Sequence, residues 1–195
     1  MATNWREVWD HFTGRGAYPH QLAFLLLNPI RSLMFSPREL IERLHLSENF
    51  RVLELGPGPG FFSVHIAQRI PSGHLCLVDV QHEMLDKARA RVRRADISNV
   101  SFAQAGASAL PLARENFDVA FLVAVLGEVP DAAACITQLC GILRRGGLLS
   151  ITELKGDPDA MTEGEIATLA KAANLEHSET FTRRFGFTIN FRKPG

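Results

Sequence analysis

Glu54 sits inside an apolar run, Val52 to Leu55, and is followed at once by glycines at alternate positions, Gly56, Gly58 and Gly60. Asp79 closes a second apolar run, His74 to Val78, 25 residues after Glu54. Each run reads as a short buried strand, and Phe61, Phe62, Val64, His65, Ile66 and Ala67 follow helical spacing, so the stretch reads strand, glycine turn, helix, strand. In a doubly wound fold, an acid at the carboxyl end of the second strand is placed to accept both hydroxyls of a ribose. Glycine is wanted in the turn because only a residue without a Cβ takes positive φ cheaply and lets a ligand lie against the backbone. Glu54, an acid in a core strand, requires a partner. The dinucleotide fingerprint G-x-G-x-x-G would need a third glycine at position 61, which is Phe61, so a nicotinamide nucleotide fits poorly.

The spacing acid-x-G-x-G-x-G does resemble the class I S-adenosylmethionine (SAM) dependent methyltransferases, in particular the small-molecule, ubiquinone/menaquinone-biosynthesis-like type. The resemblance implies that Gly56, Pro57, Gly58 and Gly60 wrap the methionine and ribose parts of the cofactor, that Glu54 helps hold its cationic amino group and that Asp79 takes the ribose. It also implies that Val80 lies against the adenine face and Met84 near its edge, although Met84 is equally a core residue by type. Where the family often has an aspartate for the adenine amino group, this chain has Gly106, followed by Ala107. Adenine recognition then falls to backbone groups near these two residues, or to Ser108. The run Phe117 to Val123 resembles the family's F-D-V-hydrophobic strand, and Val123 at its end is counted among the cofactor-binding positions. Gly127 and Glu128 stand where many relatives carry two histidines, and LRRGGLLSITE resembles an L-K-P-G-G-hydrophobic block with Arg145 at the proline. The implied fold is an α/β, Rossmann-like doubly wound sheet of seven strands, mostly parallel, with one antiparallel strand from a C-terminal hairpin. The resemblance covers about residues 49–193.

The elements that must position these residues follow from pattern. His82 to Arg94 is an amphipathic helix with Met84, Leu85, Ala88 and Val92 on its buried face. Val100 to Ala105 reads as a third strand, and the almost wholly apolar run to Val123 as a central one. Asp131 to Leu143 reads as a helix ended by Gly146-Gly147, with a strand released through Glu153. Thr162 and Glu165 have capping-box spacing for a helix to Ala173, and His177 to Arg192 alternates like a hairpin about Gly186. Residues 1–48 differ in chemistry. Both tryptophans (Trp5, Trp9) and the only tyrosine (Tyr18) are here, Pro29 kinks or bounds the apolar segment Leu22 to Phe35, and Ser36, Pro37 and Glu39 read as a capped helix start. This segment is expected to be a helical cap: the resemblance implies a lid that shapes an acceptor pocket, and the alternative is cover for a sheet edge or a homodimer contact.

Composition narrows the function classes. A chain of 195 residues suits one domain, 1–195, with a cofactor-binding core over 49–195. Lys plus Arg equals Asp plus Glu at 21 each, so nothing pulls the chain globally toward nucleic acid or anionic lipid. The stripe Lys87, Arg91, Arg94 reads as a solvated face. No N-terminal signal pattern or membrane-length apolar run is found, and the expected location is cytoplasmic. Three cysteines without C-x-x-C pairing argue against a disulfide framework or a metal site. The expected activity is therefore methyl transfer from SAM to a small-molecule acceptor by in-line displacement, where alignment and exclusion of water supply much of the rate. His11, His20 and Glu128 are candidate bases, each with a structural alternative: packing or surface for the histidines, a helix cap for Glu128. The competing readings are a non-catalytic SAM-binding protein and a nicotinamide-dependent oxidoreductase.

Overall fold

The computed structural model describes residues 36–195. The segment of Trp5, Trp9, His11, Tyr18, His20 and Leu22 to Phe35 lies outside the described residues, and with it most of the expected cap. The described elements are α1 (Pro37–Arg43), β1 (Arg51–Leu55), α2 (Ser63–Arg69), β2 (His74–Asp79), α3 (His82–Arg94), β3 (Val100–Gln104), β4 (Phe117–Val123), a 3-10 turn (Leu126–Glu128), α4 (Ala132–Ile142), β5 (Leu143–Leu154), α5 (Glu163–Ala172), β6 (Glu176–Arg183) and β7 (Gly186–Arg192).

Seven strands form one sheet in the order β3-β2-β1-β4-β5-β7-β6. β3 through β5 pair in parallel, and β7 runs antiparallel between β5 and β6, as the hairpin pattern predicts. The pleat divides the core. From β4, Val119, Phe121 and Val123 join Leu40, Ile66 and Leu85 on one face, while Ala120 and Leu122 join Ile136, Leu139 and Ile166 on the other. With helices on both faces, a strand such as β4 is apolar at nearly every position and buried throughout. The chain runs outward from β1 to β3, then returns to place β4 on the other side of β1. That reversal opens a crevice beyond the carboxyl ends of β1 and β4, the usual ligand position in such sheets.

Several local expectations hold. α3 buries Met84, Leu85, Ala88 and Val92, and Thr162 with Glu165 forms a complete capping box. Others are corrected. Ser36 occupies the N-cap position of α1, but its side chain makes no capping hydrogen bond. α1 is instead anchored by Arg43, whose guanidinium donates to Thr188 Oγ1 at 2.8 Å and to Glu39 at 3.0 Å. Gly146-Gly147 does not end a helix: α4 stops at Ile142 and β5 begins at Leu143. The glycines lie within β5, where its pairing with β4 shifts between Phe117 and Val119, and Gly146 takes φ +72°. An irregularity that needs a left-handed residue uses glycine as a helix end does, so local sequence does not separate the two. Glu128 does not cap α4; Asp131 does, accepting from Ala134 N–H at 2.8 Å.

Candidate functional site

Three strand ends converge on one cavity of about 970 Å³. β1 delivers Glu54 and the glycine turn, β2 delivers Asp79, and β4 delivers Val123 and the turn that follows. Gly56, Gly58 and Gly60 take φ of +66°, +53° and +77°, the left-handed region that L side chains avoid. Gly56 has a second reason to be glycine, since a Cβ there would come within 2.5 Å of Val125 Cγ2. Its N–H donates to Val78 O at 2.8 Å, tying the turn to β2. Beyond β4 the strain passes to a non-glycine residue, Ala124, at φ +53°.

The two carboxylates found from sequence face this same space. Glu54 is 3% exposed, and its Oε2 accepts the Ser63 hydroxyl at 2.6 Å. Burial pushes its carboxyl up to about 8, opposed by the Ser63 hydrogen bond and reinforced by the charge of Asp79. Asp79 Oδ1 accepts from Gln81 N–H at 2.9 Å and Oδ2 from Gly58 N–H at 3.3 Å. Burial raises its carboxyl as well, although these backbone donors pull the other way. The second of them links Asp79 to the glycine turn, so one side chain joins β2 to the loop after β1.

Pro57, Val80, Met84, Gly106, Ala107 and Val123 also line the cavity. Val80 is 56% exposed, an apolar side chain held open to solvent beside the site. Nothing lies within 4 Å of where a Cβ on Gly106 would stand, so that position is open space. Gly60 is not among the lining residues; its missing Cβ makes room for Ala88 of α3 at 3.0 Å. Glu128 lies on the wall, while His11 and His20 fall outside the described residues. Ser63, the partner Glu54 required, was not singled out from sequence, although an acid before a glycine turn and a hydroxyl opening the next helix is a usable signal. Phe61, Phe62, Gln81, Asp157 and Asp159 were likewise missed as lining residues. Asp118, the acid of the F-D-V run, belongs to the opposite end of β4, where it accepts from Arg51 N–H at 2.6 Å and pairs with Arg144 at 2.8 Å.

Another part of the wall is built by the loop after β5, which rests on the turn after β4. A Cβ on Gly127 would stand 1.7 Å from the Asp159 carbonyl oxygen, so only glycine permits this approach of loop to turn. Gly127→Ala is expected to cost about 1–3 kcal/mol, the range for forced overpacking. Urea unfolding measures it, and an unaltered midpoint would mean the loop does not rest on the turn. Among the described residues no helix is long and apolar enough to cross a membrane, and no His, Cys, Asp and Glu group is arranged to hold a metal.

Residues 46–183 match the family model described as a methyltransferase domain. An arsenite methyltransferase of Halobacterium salinarum is 33% identical over 147 residues, which cover 70% of this chain and 37% of that protein. A ubiquinone/menaquinone biosynthesis C-methyltransferase of Shewanella oneidensis is 31% identical over 121 residues, 61% of this chain and 48% of that one. The chain thus spans about half or less of the length of these curated relatives. Among solved structures, a SAM-dependent methyltransferase from Aquifex aeolicus superposes with a TM-score of 0.85 at 20% identity, covering 91% of this chain and all of that one. The [4+2]-cyclase SpnF shares the fold with a TM-score of 0.74 at 17% identity, covering 84% of this chain and 82% of its own.

Proposed function

This chain belongs to the class I S-adenosylmethionine-dependent methyltransferases, and from that premise we propose that it binds SAM in the cavity beyond β1, β2 and β4 and transfers the methyl group to a small-molecule acceptor. The observation that carries the reading is that Glu54 and Asp79, on successive strands, open onto one cavity floored by the left-handed glycine turn. The residues fit the cofactor. Glu54, adjoining Asp79 and held by Ser63, suits a cationic amino group; Asp79 keeps lone pairs for a ribose diol beyond its two backbone donors; Val80 and Met84 offer an apolar side for adenine. Gly106, with open space in place of a side chain, leaves adenine's polar edge to backbone groups there and at Ala107.

When bound, SAM supplies a methyl group on a positively charged sulfur. The chain's contribution is to align and to keep water out. Phe61, Phe62, Val125 and Leu154 give the cavity apolar wall, and the positive charge lost in the transfer is best accommodated where water is excluded. Glu54 in its ionised form pairs with the ammonium, and the Ser63 hydroxyl keeps its carboxylate oriented. The thiols Cys76, Cys135 and Cys140 are not joined in disulfides, which suits a reducing compartment, so a cytoplasmic setting is part of this reading.

Calorimetric titration of the full chain with SAM, S-adenosylhomocysteine and NAD tests the proposal. Binding of the first two without the third is expected; binding of NAD alone would end it. Gly106, where the family often has an aspartate, and Gly127 and Glu128, where many relatives carry two histidines, give a second reading its support, a SAM-binding chain that does not methylate. Saturable binding without S-adenosylhomocysteine release, across amine, quinol, phenol and thiol acceptors, would favour that one.

A further inference from the structure

The cavity is lined by five carboxylates, Glu54, Asp79, Glu128, Asp157 and Asp159, and among the described residues no lysine, arginine or histidine lines it. Glu54 and Asp79 belong to the cofactor end. The other three come from the turn after β4 and the loop after β5, and Gly127 locks that loop against the turn. Behind them stands Glu153, 2% exposed at the carboxyl end of β5. Its Oε1 has no hydrogen-bond partner among the described residues. Its carboxyl accepts from Gly127 N–H and feels the charges of Asp157 and Glu128, all three of them cavity-lining residues. Together with burial, those charges push the Glu153 carboxyl up to about 8.

We propose that the acceptor is a cationic amine, bound as the ammonium against the wall of Asp157 and Asp159, over the buried Glu153. The proposal rests on the methyl-transfer reading above. Asp157 and Asp159 on the cavity wall give a negative field that an ammonium relieves and a carboxylate, phosphate or phenolate acceptor would worsen, and beneath them lies the buried Glu153, unpaired on one oxygen. The same groups manage the proton. A wall carboxylate takes one proton from the ammonium, giving a neutral amine with a lone pair. That lone pair attacks the methyl carbon as the carbon–sulfur bond breaks and its electron pair returns to sulfur. The products are the N-methylammonium and the neutral thioether S-adenosylhomocysteine, with the wall carboxylic acid left to lose its proton to solvent. No oxidant or metal is required.

The test uses the full chain with SAM and a panel of primary and secondary alkylamines beside phenols, quinols, thiols and carboxylic acids, read by S-adenosylhomocysteine release. Turnover on the amines is expected, inhibited by a quaternary ammonium and not by its neutral carbon isostere. The double variant Asp157→Asn, Asp159→Asn is expected to raise the amine KM about tenfold or more, the scale of losing a charge-assisted contact, while the Kd for SAM stays as in the parent chain. That unchanged Kd shows the variant folded. Turnover on phenols, quinols or thiols with none on amines overturns the amine assignment and leaves methyl transfer standing. So does an amine KM that the double variant does not move. Absence of SAM binding overturns both.

Discussion

Asp79→Ala is expected to weaken SAM binding about 10- to 100-fold, with S-adenosylhomocysteine weakened equally because both carry the same ribose. Both oxygens of this carboxylate are already oriented by backbone donors, Gln81 N–H at 2.9 Å and Gly58 N–H at 3.3 Å. Hydrogen bonds to a charged acceptor contribute about 1.5–3 kcal/mol each, and every 1.4 kcal/mol or so is about tenfold in Kd. The variant should fold, since the two N–H groups it frees lie at the cavity edge where water reaches them. Isothermal calorimetry beside a circular dichroism spectrum checks both statements. A Kd within about twofold of the parent would remove Asp79 from the ribose and undo the placement of the cofactor.

The second large effect is a proton linkage at Glu54. Its carboxyl lies at about 8 in the folded chain against an ordinary 4.5. A raised carboxyl holds its proton in the fold after the unfolded chain has released it, so the contribution to stability is whole below about pH 4.5 and is lost as pH rises toward 8. Each pH unit between those two values corresponds to about 1.36 kcal/mol, so by pH 8 the loss is on the order of 4 kcal/mol. Glu153, also pushed up to about 8, adds to the same slope. The melting temperature of the ligand-free chain should therefore fall between pH 5 and pH 8. Glu54→Gln, which keeps an acceptor for the Ser63 hydroxyl, should flatten part of that fall. Pairing with the cofactor's ammonium reverses the preference, so SAM binding at pH 7 should release close to one proton. Calorimetry in buffers of different ionisation enthalpy reads that number. A melting temperature flat from pH 5 to pH 8, or equal slopes in parent and variant, would refute the linkage.

What sequence could reveal was whatever depends on near neighbours. The glycine turn, the strand before it, the buried face of α3 and the Thr162–Glu165 box each lie within one or two turns of chain, and each is found where expected. Asp79 was legible because a strand-helix-strand unit has a nearly fixed length. The wall formed by the loop after β5 was not, because it depends on contacts across long separations. Gly127 reads as an ordinary loop glycine until the Asp159 carbonyl is seen against it, 32 residues on. Glu153 reads as the end of a strand until its burial beside Glu128 and Asp157 is known. Gly146-Gly147 failed for another reason: a helix end and a strand irregularity ask for the same backbone freedom, and only the pairing of β5 with β4 separates them.

The place of β7 has a consequence for how the chain emerges from the ribosome. It is the last of the seven strands to be made, yet it pairs on both sides, with β5 through Leu148 to Leu154 and with β6 through Glu176 to Arg183. Until β7 arrives, a nascent chain carries β5 as an open edge, with Leu148 on one face and Leu149 and Ile151 on the other, and β6 has nothing to dock on. Unpaired apolar edges invite intermolecular pairing. Until β7 has emerged and paired, β5 and β6 are therefore the part of this sheet most open to pairing with another chain.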